Sequence, residues 1–273
     1  MRVLVTGAAG SIGRVLVPGL ESRGHEVVGA DLLPDPATTG RPWHVLDVGD
    51  AAAVRAAVTA QPLDAVVHLA GVPDETDLPT ALASHVHTTG ALLDAMVDNG
   101  IRRIVYASSN HAVGRTPHQE GGPLGIDARP RPDTFYGVGK VAAEALLSLY
   151  ADRYGLDAVA CRIGSFLPKP ERRRHLATWL SHDDCVRMVD AALTAPTPGF
   201  AILYGISANT RSWWDLAPGR ALGYEPQDDA EQYAADVPDS ADDEHDDRFV
   251  GGPFAGPAFH RPSWGEERHE PGR

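Results

Sequence analysis

Residues 5–13 read VTGAAGSIG, and this stretch decides the fold. Gly7, Gly10 and Gly13 follow the spacing G-x-x-G-x-x-G between an apolar run and a segment with helical periodicity. Glycines at such positions permit a tight turn, a close approach of the backbone to a pyrophosphate and close packing of a helix on a strand. The stretch therefore predicts a dinucleotide-binding loop between the first strand and the first helix.

Short β-rich runs alternate with helical patterns through the first two thirds of the chain. This alternation is typical of parallel βαβ units, which right-handed crossovers assemble into a doubly wound sheet. We predict an α/β fold, a doubly wound parallel Rossmann sheet with helices on both faces and a small C-terminal substrate-binding appendage. The predicted strands span 2–6, 26–30, 43–48, 64–70, 102–108, 156–163 and 200–205, and the predicted helices span 11–23, 50–60, 83–99, 134–154, 182–194 and 212–222.

The length of 273 residues suits a single α/β domain. We expect residues 1–165 to form the dinucleotide-binding core that also carries the reacting residues. Residues 166–273 are expected to add small substrate-binding segments and a C-terminal tail, packed on the same domain. The tail is acidic from residue 226 and then rich in Gly and Pro, and its last ten residues are expected to be disordered.

Composition restricts the partners. The formal charge of -13 argues against a nucleic acid or an anionic membrane surface, and there is no run of eighteen apolar residues to span a bilayer. The apolar start resembles a signal peptide but is better interpreted as the first strand. Cys161 and Cys185 cannot form a disulfide framework, so we expect reduced core thiols in a cytoplasmic protein.

Metal binding is not predicted either. The twelve histidines include no H-E-x-x-H motif or comparable ligand spacing. The SHDD segment at 181–184 suggests a carboxylate pair, but Ser181 and Asp184 match a helix-capping box better. Trp213 and Trp214 are most simply core anchors. We expect a small-molecule substrate and a homo-oligomer whose size the sequence does not specify.

Acidic residues after the second and third predicted strands concern the cofactor. Asp31 lies 24 positions after Gly7, where a carboxylate accepts hydrogen bonds from ribose hydroxyls and repels the extra phosphate of NADP. The alternative for Asp31 is a turn or a helix cap. Asp47 either lies against the adenine or caps the following helix. The candidate NAD contacts are Gly7, Gly10, Ser11, Ile12, Gly13, Asp31, Asp47, Val48, Leu69, Ala70, Gly71, Tyr136 and Lys140.

Polar residues follow the fifth predicted strand. Ser108, Ser109, Asn110 and His111 leave this strand at its carboxyl end, where such sheets bind ligands, although a serine-rich loop is the alternative. Tyr136 and Lys140, one of only two lysines in the chain, are four residues apart in the next predicted helix. This spacing places both side chains on one helix face, within reach of each other.

Together, TGAAGSIG, HLAG, YASSN and the Tyr136–Lys140 pair resemble the extended short-chain dehydrogenases/reductases over about residues 1–165. The resemblance implies that Ser109 orients the reacting oxygen, Tyr136 is the acid/base, and Lys140 is the adjacent cation that also holds the nicotinamide ribose. A phenol with a pKa of about 10 needs such a cation to act as a base near neutral pH.

Further stretches, SSNHAVG, YGVGK, CRIGSFLPKP and RRRHLATWLSHDDCV, resemble the uronate dehydrogenase branch of that family. This branch oxidises the C1 hydroxyl of hexuronic acids with NAD. The resemblance implies that Asn110, His111 and Ser165 contact the sugar and that Arg174 holds its carboxylate. Considered without the resemblance, the basic run KPERRRH at 169–175 is typical of a solvated surface.

Two residues depart from the family pattern. His87 stands where the family usually has an asparagine that supports proton relay, and Pro73 stands where relatives present a serine to the substrate. Proline offers no side-chain hydrogen bond, so one sugar contact is either absent or supplied by Asp74 or Glu75. Two alternative functions stay open, a nucleotide-sugar epimerase or dehydratase that reuses NAD, and a dinucleotide-binding sensor without turnover.

Overall fold

The computed structural model describes residues 1–37, 40–118, 122–256 and 259. The expected disorder of the last ten residues therefore lies outside the described residues. In chain order the strands are β1 (Arg2–Thr6), β2 (Glu26–Asp31), β3 (Trp43–Val45), β4 (Ala65–His68), β5 (Arg103–Ser109), β6 (Asp157–Ile163), β7 (Ser165–Phe166), β8 (Trp179–Leu180) and β9 (Phe200–Gly205).

Seven of these strands form one parallel sheet with the order β3-β2-β1-β4-β5-β6-β9. The order runs in both directions from β1, so the predicted doubly wound parallel sheet is confirmed. β7 and β8 pair separately in a short parallel ladder. The sequence did not predict this ladder, because each of its strands has only two residues.

The helices are α1 (Ser11–Ser22), α2 (Ala51–Thr59), α3 (Leu78–Leu82), α4 (Thr88–Asp98), α5 (Phe135–Tyr154), α6 (His175–Thr178), α7 (His182–Thr194), α8 (Ala217–Ala221) and α9 (Asp243–Asp246). A π-helical turn, Ala83–His87, joins α3 to α4. Short 3-10 turns cover Asn110–Val113, Ala230–Tyr233 and Gly252–Ala255. No helix in the described part of the chain is both long and apolar enough to cross a membrane.

Two predicted helices and one predicted strand differ from the observed elements by more than two residues. The strand predicted at 43–48 ends at Val45, because its partner strand β2 ends at Asp31. The helix predicted at 83–99 is preceded by helical residues from Leu78, because Asp77 caps α3 by accepting a hydrogen bond from the Thr80 N–H at 2.9 Å. The helix predicted at 212–222 is wrong before Ala217. There the backbone of Trp214 forms a β-bridge with Leu124 instead.

Helices cover both faces of the sheet, and each face has its own apolar core. Val3 and Val5 of β1 face α1 and α7, whereas Leu4 between them faces α2, α4 and α5. This alternation is what a strand buried on both faces produces. Both cysteines are free and buried in the first core, as expected. The predicted core position of Trp214 is confirmed, since it is 3% exposed beside Tyr204 and Val250, with Trp213 packed against the same cluster.

The SHDD segment is a helix cap. The Ser181 Oγ accepts a hydrogen bond from the Asp184 N–H at 2.9 Å, as predicted. The Asp184 carboxylate pairs with Arg187 at 2.7 Å and accepts from the Gln227 and Asp228 N–H groups. These contacts fix α7 to the following chain, so the carboxylates have a structural role there.

Asp50, and not Asp47, caps α2. The Asp50 carboxylate accepts hydrogen bonds from the Ala52 and Ala53 N–H groups, so the alternative of Asp47 as the cap is wrong. We expect Asp50→Ala to lower the free energy of unfolding by about 0.5–2 kcal/mol, the usual cost of losing a cap. Asp47→Ala is the matched control, since the Asp47 carboxylate accepts from the nearby Gly49 N–H and, among the described residues, from no N–H group of α2. Urea unfolding of both variants is the measurement, and equal losses would refute the assignment.

Candidate functional site

The candidate site lies at the carboxyl end of β5, where the N-terminus of α5 meets the strand. Two side chains fix the start of α5. The Thr134 Oγ1 accepts from the Gly137 N–H at 3.0 Å, and the Glu75 carboxylate oxygens accept from the Phe135 and Tyr136 N–H groups, each at 3.0 Å. Glu75, one of the two residues predicted as a possible source of the sugar contact at Pro73, thus caps α5 in the ligand-free protein.

Tyr136 and Lys140 come together as their spacing predicts. The Lys140 Nζ lies 5.3 Å from the centroid of the Tyr136 ring and donates a hydrogen bond to the Ala107 carbonyl at 2.7 Å. The Lys140 side chain is buried, with 5% of the residue exposed, beneath a half-buried Tyr136. The helix therefore presents the phenol toward the site and places the amine behind it, against β5.

The protonation of this pair is controlled mainly by burial. Burial lowers the pKa of Lys140 to about 7, an effect that Glu144 partly opposes. Burial also raises the pKa of Tyr136 to about 12, although a hydrogen bond with Ser109 acts in the opposite direction. In the ligand-free protein the phenol therefore keeps its proton at neutral pH. The expected stabilisation of the phenolate by Lys140 does not prevail in this state.

Ser109, Asn110 and His111 adjoin the tyrosine. The Ser109 Oγ donates to the Asn110 Oδ1 at 3.3 Å and accepts from the His111 N–H at 3.2 Å. The His111 ring lies 5.8 Å from the Tyr136 ring, and its Nδ1 is 2.8 Å from the Asp133 Oδ2. Asp133, which the sequence did not reveal as a site residue, thus orients His111.

Ser108 has a structural role. Its Oγ donates to the buried Glu144 carboxylate at 2.6 Å, and the same carboxylate forms a two-point ion pair with Arg162 at 3.0 and 2.8 Å. Glu144 lies one helical turn after Lys140, so this network locks α5 onto β5 and β6 directly behind the site. Apolar periodicity alone would not have located a buried ion pair here.

His85, and not His87, packs against Tyr136. His87 is exposed, whereas His85 is buried with its ring centroid 5.1 Å from that of Tyr136. The structure therefore brings His85, and not His87, to the Tyr136–Lys140 pair. The cause is the π-helical turn before α4. Its residues do not follow α-helical periodicity, so that periodicity does not show which of them face the site.

Arg174 and Ser165 are linked on the other side of the site. The Ser165 Oγ lies 2.8 Å from the Thr178 Oγ1, which in turn lies 3.2 Å from the Arg174 carbonyl. The Arg174 Nη2 donates to the Val250 carbonyl at 2.5 Å, and the Asn110 Nδ2 donates to the same oxygen at 3.1 Å. One backbone oxygen of the C-terminal segment therefore connects Arg174 with Asn110.

The three consecutive arginines differ in environment. Arg172 and Arg173 are exposed, whereas Arg174 is half-buried. Burial lowers the pKa of Arg174, while Asp246, Asp247 and Asp133 act in the opposite direction. The interpretation of the whole run as a solvated face is therefore wrong for Arg174, whose guanidinium points into the protein.

The glycine loop has the geometry of a dinucleotide cradle. Gly7 has φ +72°, and a Cβ added there would lie 2.7 Å from the Ala70 nitrogen. A Cβ on Gly13 would lie 2.4 Å from the Gly7 carbonyl oxygen. Gly10 precedes α1 and offers no side-chain cap. The tight turn of the loop therefore requires glycine. The first N–H groups of α1, including those of Ser11 and Ile12, have no capping side chain and point toward this loop.

The remaining cofactor candidates surround this loop. The Asp31 Oδ2 accepts from the Ala9 N–H at 2.9 Å, and its Oδ1 accepts from the Leu33 N–H at 3.0 Å, so Asp31 also has the alternative role of a turn residue. Asp31 stays half-exposed at the end of β2. Val48, Leu69 and Ala70 are half-buried, and Asp47 and Gly71 are exposed. A helix N-terminus without a capping side chain and a nearby carboxylate fit the pyrophosphate and ribose of NAD.

Within the described ranges, no group of three or more His, Cys, Asp or Glu residues has a geometry that could hold a metal ion. The sequence did not indicate the packing of His85 on Tyr136, the role of Glu75 as the cap of α5, or the contacts of Asp133 and Val250 in the site. Val250 acts through its backbone carbonyl, which no side-chain pattern reveals.

Comparisons with known proteins agree with this geometry. The NAD dependent epimerase/dehydratase family matches residues 3–182. A uronate dehydrogenase from Agrobacterium fabrum is 39% identical over 259 residues, covering 93% of this chain and 96% of that protein. A uronate dehydrogenase from Pseudomonas putida is 37% identical, covering 93% and 95%. The crystal structure of a mutant uronate dehydrogenase from Agrobacterium tumefaciens complexed with NAD has a TM-score of 0.85 and 38% identity, covering 93% and 96%.

Proposed function

Since the chain belongs to the NAD dependent epimerase/dehydratase family, we propose that it is an enzyme that oxidises the C1 hydroxyl of a cyclic hexuronic acid with NAD. The observation that carries the proposal is the half-buried Arg174 guanidinium, which shares the Val250 carbonyl with Asn110, next to Ser109 and Tyr136. A guanidinium at this place can bind the C6 carboxylate of a uronate with two parallel hydrogen bonds, a contact that a neutral hexose cannot make.

The glycine loop and the carboxyl end of β2 hold the cofactor in this proposal. The N–H groups at the start of α1 bind the pyrophosphate, and Asp31 accepts hydrogen bonds from the ribose. Asp47 and Val48 lie on the adenine side, and Leu69, Ala70 and Gly71 line the path from the pyrophosphate to the catalytic residues. When bound, NAD supplies the hydride acceptor, a positively charged nicotinamide ring.

The proton of the C1 hydroxyl passes to Tyr136. Ser109 orients the hydroxyl, and the Tyr136 oxygen accepts its proton while the C1 hydrogen leaves as hydride. The Lys140 ammonium stabilises the phenolate that must form first. Because the pyranose ring stays closed during this step, the first product is an aldarolactone and not an open-chain acid.

The sugar is held at the other end by Ser165 and Arg174, with Asn110 and His111 beside the reacting carbon. Arg174 binds the C6 carboxylate, and the hydrogen bond of His111 to Asp133 fixes which imidazole nitrogen faces the sugar. We propose that the small segments after residue 165 complete this half of the site, through Arg174 and Val250, together with Ser165.

Purified protein mixed with NAD and a panel of free sugars tests the function. We expect NADH to form with glucuronate or galacturonate and not with glucose or galactose. Glucose 6-phosphate belongs in the panel because, like a uronate, it is an anionic sugar. NADH formation from neutral hexoses at equal rates would contradict the proposal, and interconversion of nucleotide sugars without net NADH would indicate an epimerase.

Cofactor choice tests the role of Asp31. We expect Asp31→Ala to raise the KM for NAD and to lower the ratio of kcat/KM with NAD to kcat/KM with NADP. The reason is that both the ribose hydrogen bonds and the charge that repels the extra phosphate are lost. Initial rates with both cofactors at varied concentration are the measurement. If the unmodified protein already used NADP as well as NAD, the role given to Asp31 would be wrong.

Assembly and location are further parts of the proposal. We propose a homo-oligomer in the cytoplasm that uses the NAD pool of that compartment. Exposed apolar residues on α5, Leu149 and Tyr154, support association through this helix. Sedimentation equilibrium over a range of protein concentrations is the measurement, and a monomer at all concentrations would exclude the oligomer.

A further inference from the structure

His85 is a buried histidine at the catalytic pair that the mechanism above does not use. It lies in the π-helical turn before α4 and is 3% exposed. The Thr89 hydroxyl donates to its backbone carbonyl at 2.5 Å, which holds the turn to the next helical turn. Its ring meets the Tyr136 ring at an angle of 83°, edge against face.

Two glycines adapt the backbone to this ring. A Cβ on Gly71 would lie 2.9 Å from both the Cε1 and the Nδ1 of His85, and a Cβ on Gly139 would lie 2.9 Å from the Cδ2. Gly71 follows β4, and Gly139 lies in α5 between Tyr136 and Lys140. The imidazole therefore fills the gap between the loop after β4 and the helix that carries the catalytic pair, and neither backbone has room for a side chain at the point of contact.

The ring is also uncharged. Burial and the positive charge of Lys140 lower the pKa of His85 to about 3, while a backbone hydrogen bond involving Val72 acts in the opposite direction. His68, on β4, is a second buried histidine, and burial, Lys140 and His85 lower its pKa to about 3. The titratable and charged groups that act on His85 are thus Tyr136 and Lys140 from α5 and the neutral His68 from β4, beside the Val72 backbone.

The Val72 N–H lies near the ring but donates to the Ser84 Oγ at 2.7 Å, which leaves the His85 Nδ1 without a well-formed hydrogen bond among the described residues. A buried polar atom without a partner costs stability, and such atoms in native proteins concentrate where function requires them. An apolar ring of similar shape would fill the gap without this cost.

We propose that His85 is a positioning residue for Tyr136 and Lys140, a neutral ring that sets the distance between the loop after β4 and α5 and excludes water from the amine. The assignment of a role in turnover rests on the proposed function. The packing of the His85 ring between the loop after β4 and α5, which we call the wedge, is a property of the ligand-free protein.

A smaller side chain at position 85 would admit water to the pair. Because burial is the largest cause of the shift at both Tyr136 and Lys140, hydration returns each group toward its ordinary pKa. We therefore expect His85→Asn and His85→Ala to raise the pKa of Lys140 above its value of about 7. The exposed His87 provides the matched control, since His87→Asn removes an imidazole two residues away without opening the site.

Lysine titration measures this directly, because Lys140 and Lys169 are the only lysines in the chain. Protein labelled with ¹³C in lysine gives two Cε signals, whose chemical shifts are followed against pH without NAD or substrate. A Lys140→Arg variant assigns the signals. An upward shift of the Lys140 titration in His85→Asn, and no shift in His87→Asn, supports the wedge. Unchanged titration in both His85 variants would overturn it.

Turnover gives the second measurement. With uronate and NAD, we expect kcat of His85→Asn to fall about tenfold or more, since small misplacements of reacting groups carry such costs, while both KM values stay near those of the unmodified protein. A wild-type kcat together with a lowered melting temperature would mean a structural role only. If the unmodified protein oxidises no uronate but Lys140 still shifts, the proposed function fails and the wedge stands. If His85→Ala does not fold, His85→Asn carries both measurements.

Discussion

Replacing Tyr136 by phenylalanine is expected to lower kcat by about 10²- to 10⁴-fold, the contribution that positioned acid/base catalysis typically makes. Only the hydroxyl is removed, because phenylalanine retains a ring that packs against His85 and His111. NAD binding should stay close to that of the unmodified protein. Steady-state kinetics with glucuronate and calorimetric titration with NAD are the two measurements.

Tyr106 provides a matched control. Its ring lies 4.9 Å from the same Lys140 Nζ, but it is buried in the core beneath the site. We expect Tyr106→Phe to keep most of the activity. A Tyr136→Phe variant that retained about a tenth of the rate or more would assign the base to another group, because the loss would fall short of an acid/base contribution.

Replacing Arg174 by alanine should lower kcat/KM for uronates by about ten- to more than a hundredfold. The reason is the loss of a charge-assisted contact to the carboxylate, worth about 1.5–3 kcal/mol. Arg172→Ala and Arg173→Ala are the controls. Both arginines are exposed, and the contact of Arg173 with Asp247 is a loose surface pair at 3.6 Å. Equal losses of kcat/KM in all three variants would show that Arg174 does not bind the carboxylate.

Arg174 also holds the C-terminal segment through Val250, so its removal has a second effect. Arg174→Lys separates the two, because it restores the charge without the planar two-point contact. We expect partial recovery of kcat/KM in this variant. The ratio of activity on uronate to activity on the corresponding neutral hexose is the relevant quantity, since loosening of the segment affects both sugars and loss of the carboxylate contact affects one.

The fold was accessible from local patterns. The glycine stretch and the apolar runs located β1 and β9 at their observed bounds and most other elements to within two residues, because strands buried on both faces are continuous apolar runs. Irregular elements were not accessible. The π-helical turn at Ala83–His87 and the two-residue strands β7 and β8 depend on tertiary contacts that no periodicity encodes.

Part of the site could also be predicted from local sequence patterns. Tyr136 and Lys140 share a helix face, so their spacing alone predicts that they meet. His85 was missed because it lies within the π-helical turn, where the α-helical periodicity that shows which residues share a face does not hold. Glu75 and Asp133 were missed because their partners, the N-terminus of α5 and His111, lie 60 and 22 residues away in the chain.

Burial also changed the expected electrostatics. The sequence places a cation beside a phenol, which predicts a lowered pKa for Tyr136. The structure adds desolvation, and this is the larger effect in the ligand-free protein, where it raises the pKa to about 12. The pair must therefore gain further stabilisation of the phenolate when cofactor and substrate bind.

Transfer of an isotope from C1 tests the central claim most directly. Glucuronate deuterated at C1 is incubated with the protein and NAD, and the reduced cofactor is analysed by mass spectrometry, with glucuronate deuterated at C4 in a parallel reaction. The account predicts one deuterium in each NADH formed from the C1-labelled sugar and none from the C4-labelled sugar. Deuterium in NADH from C4, or epimerised sugar with no net NADH, would contradict it.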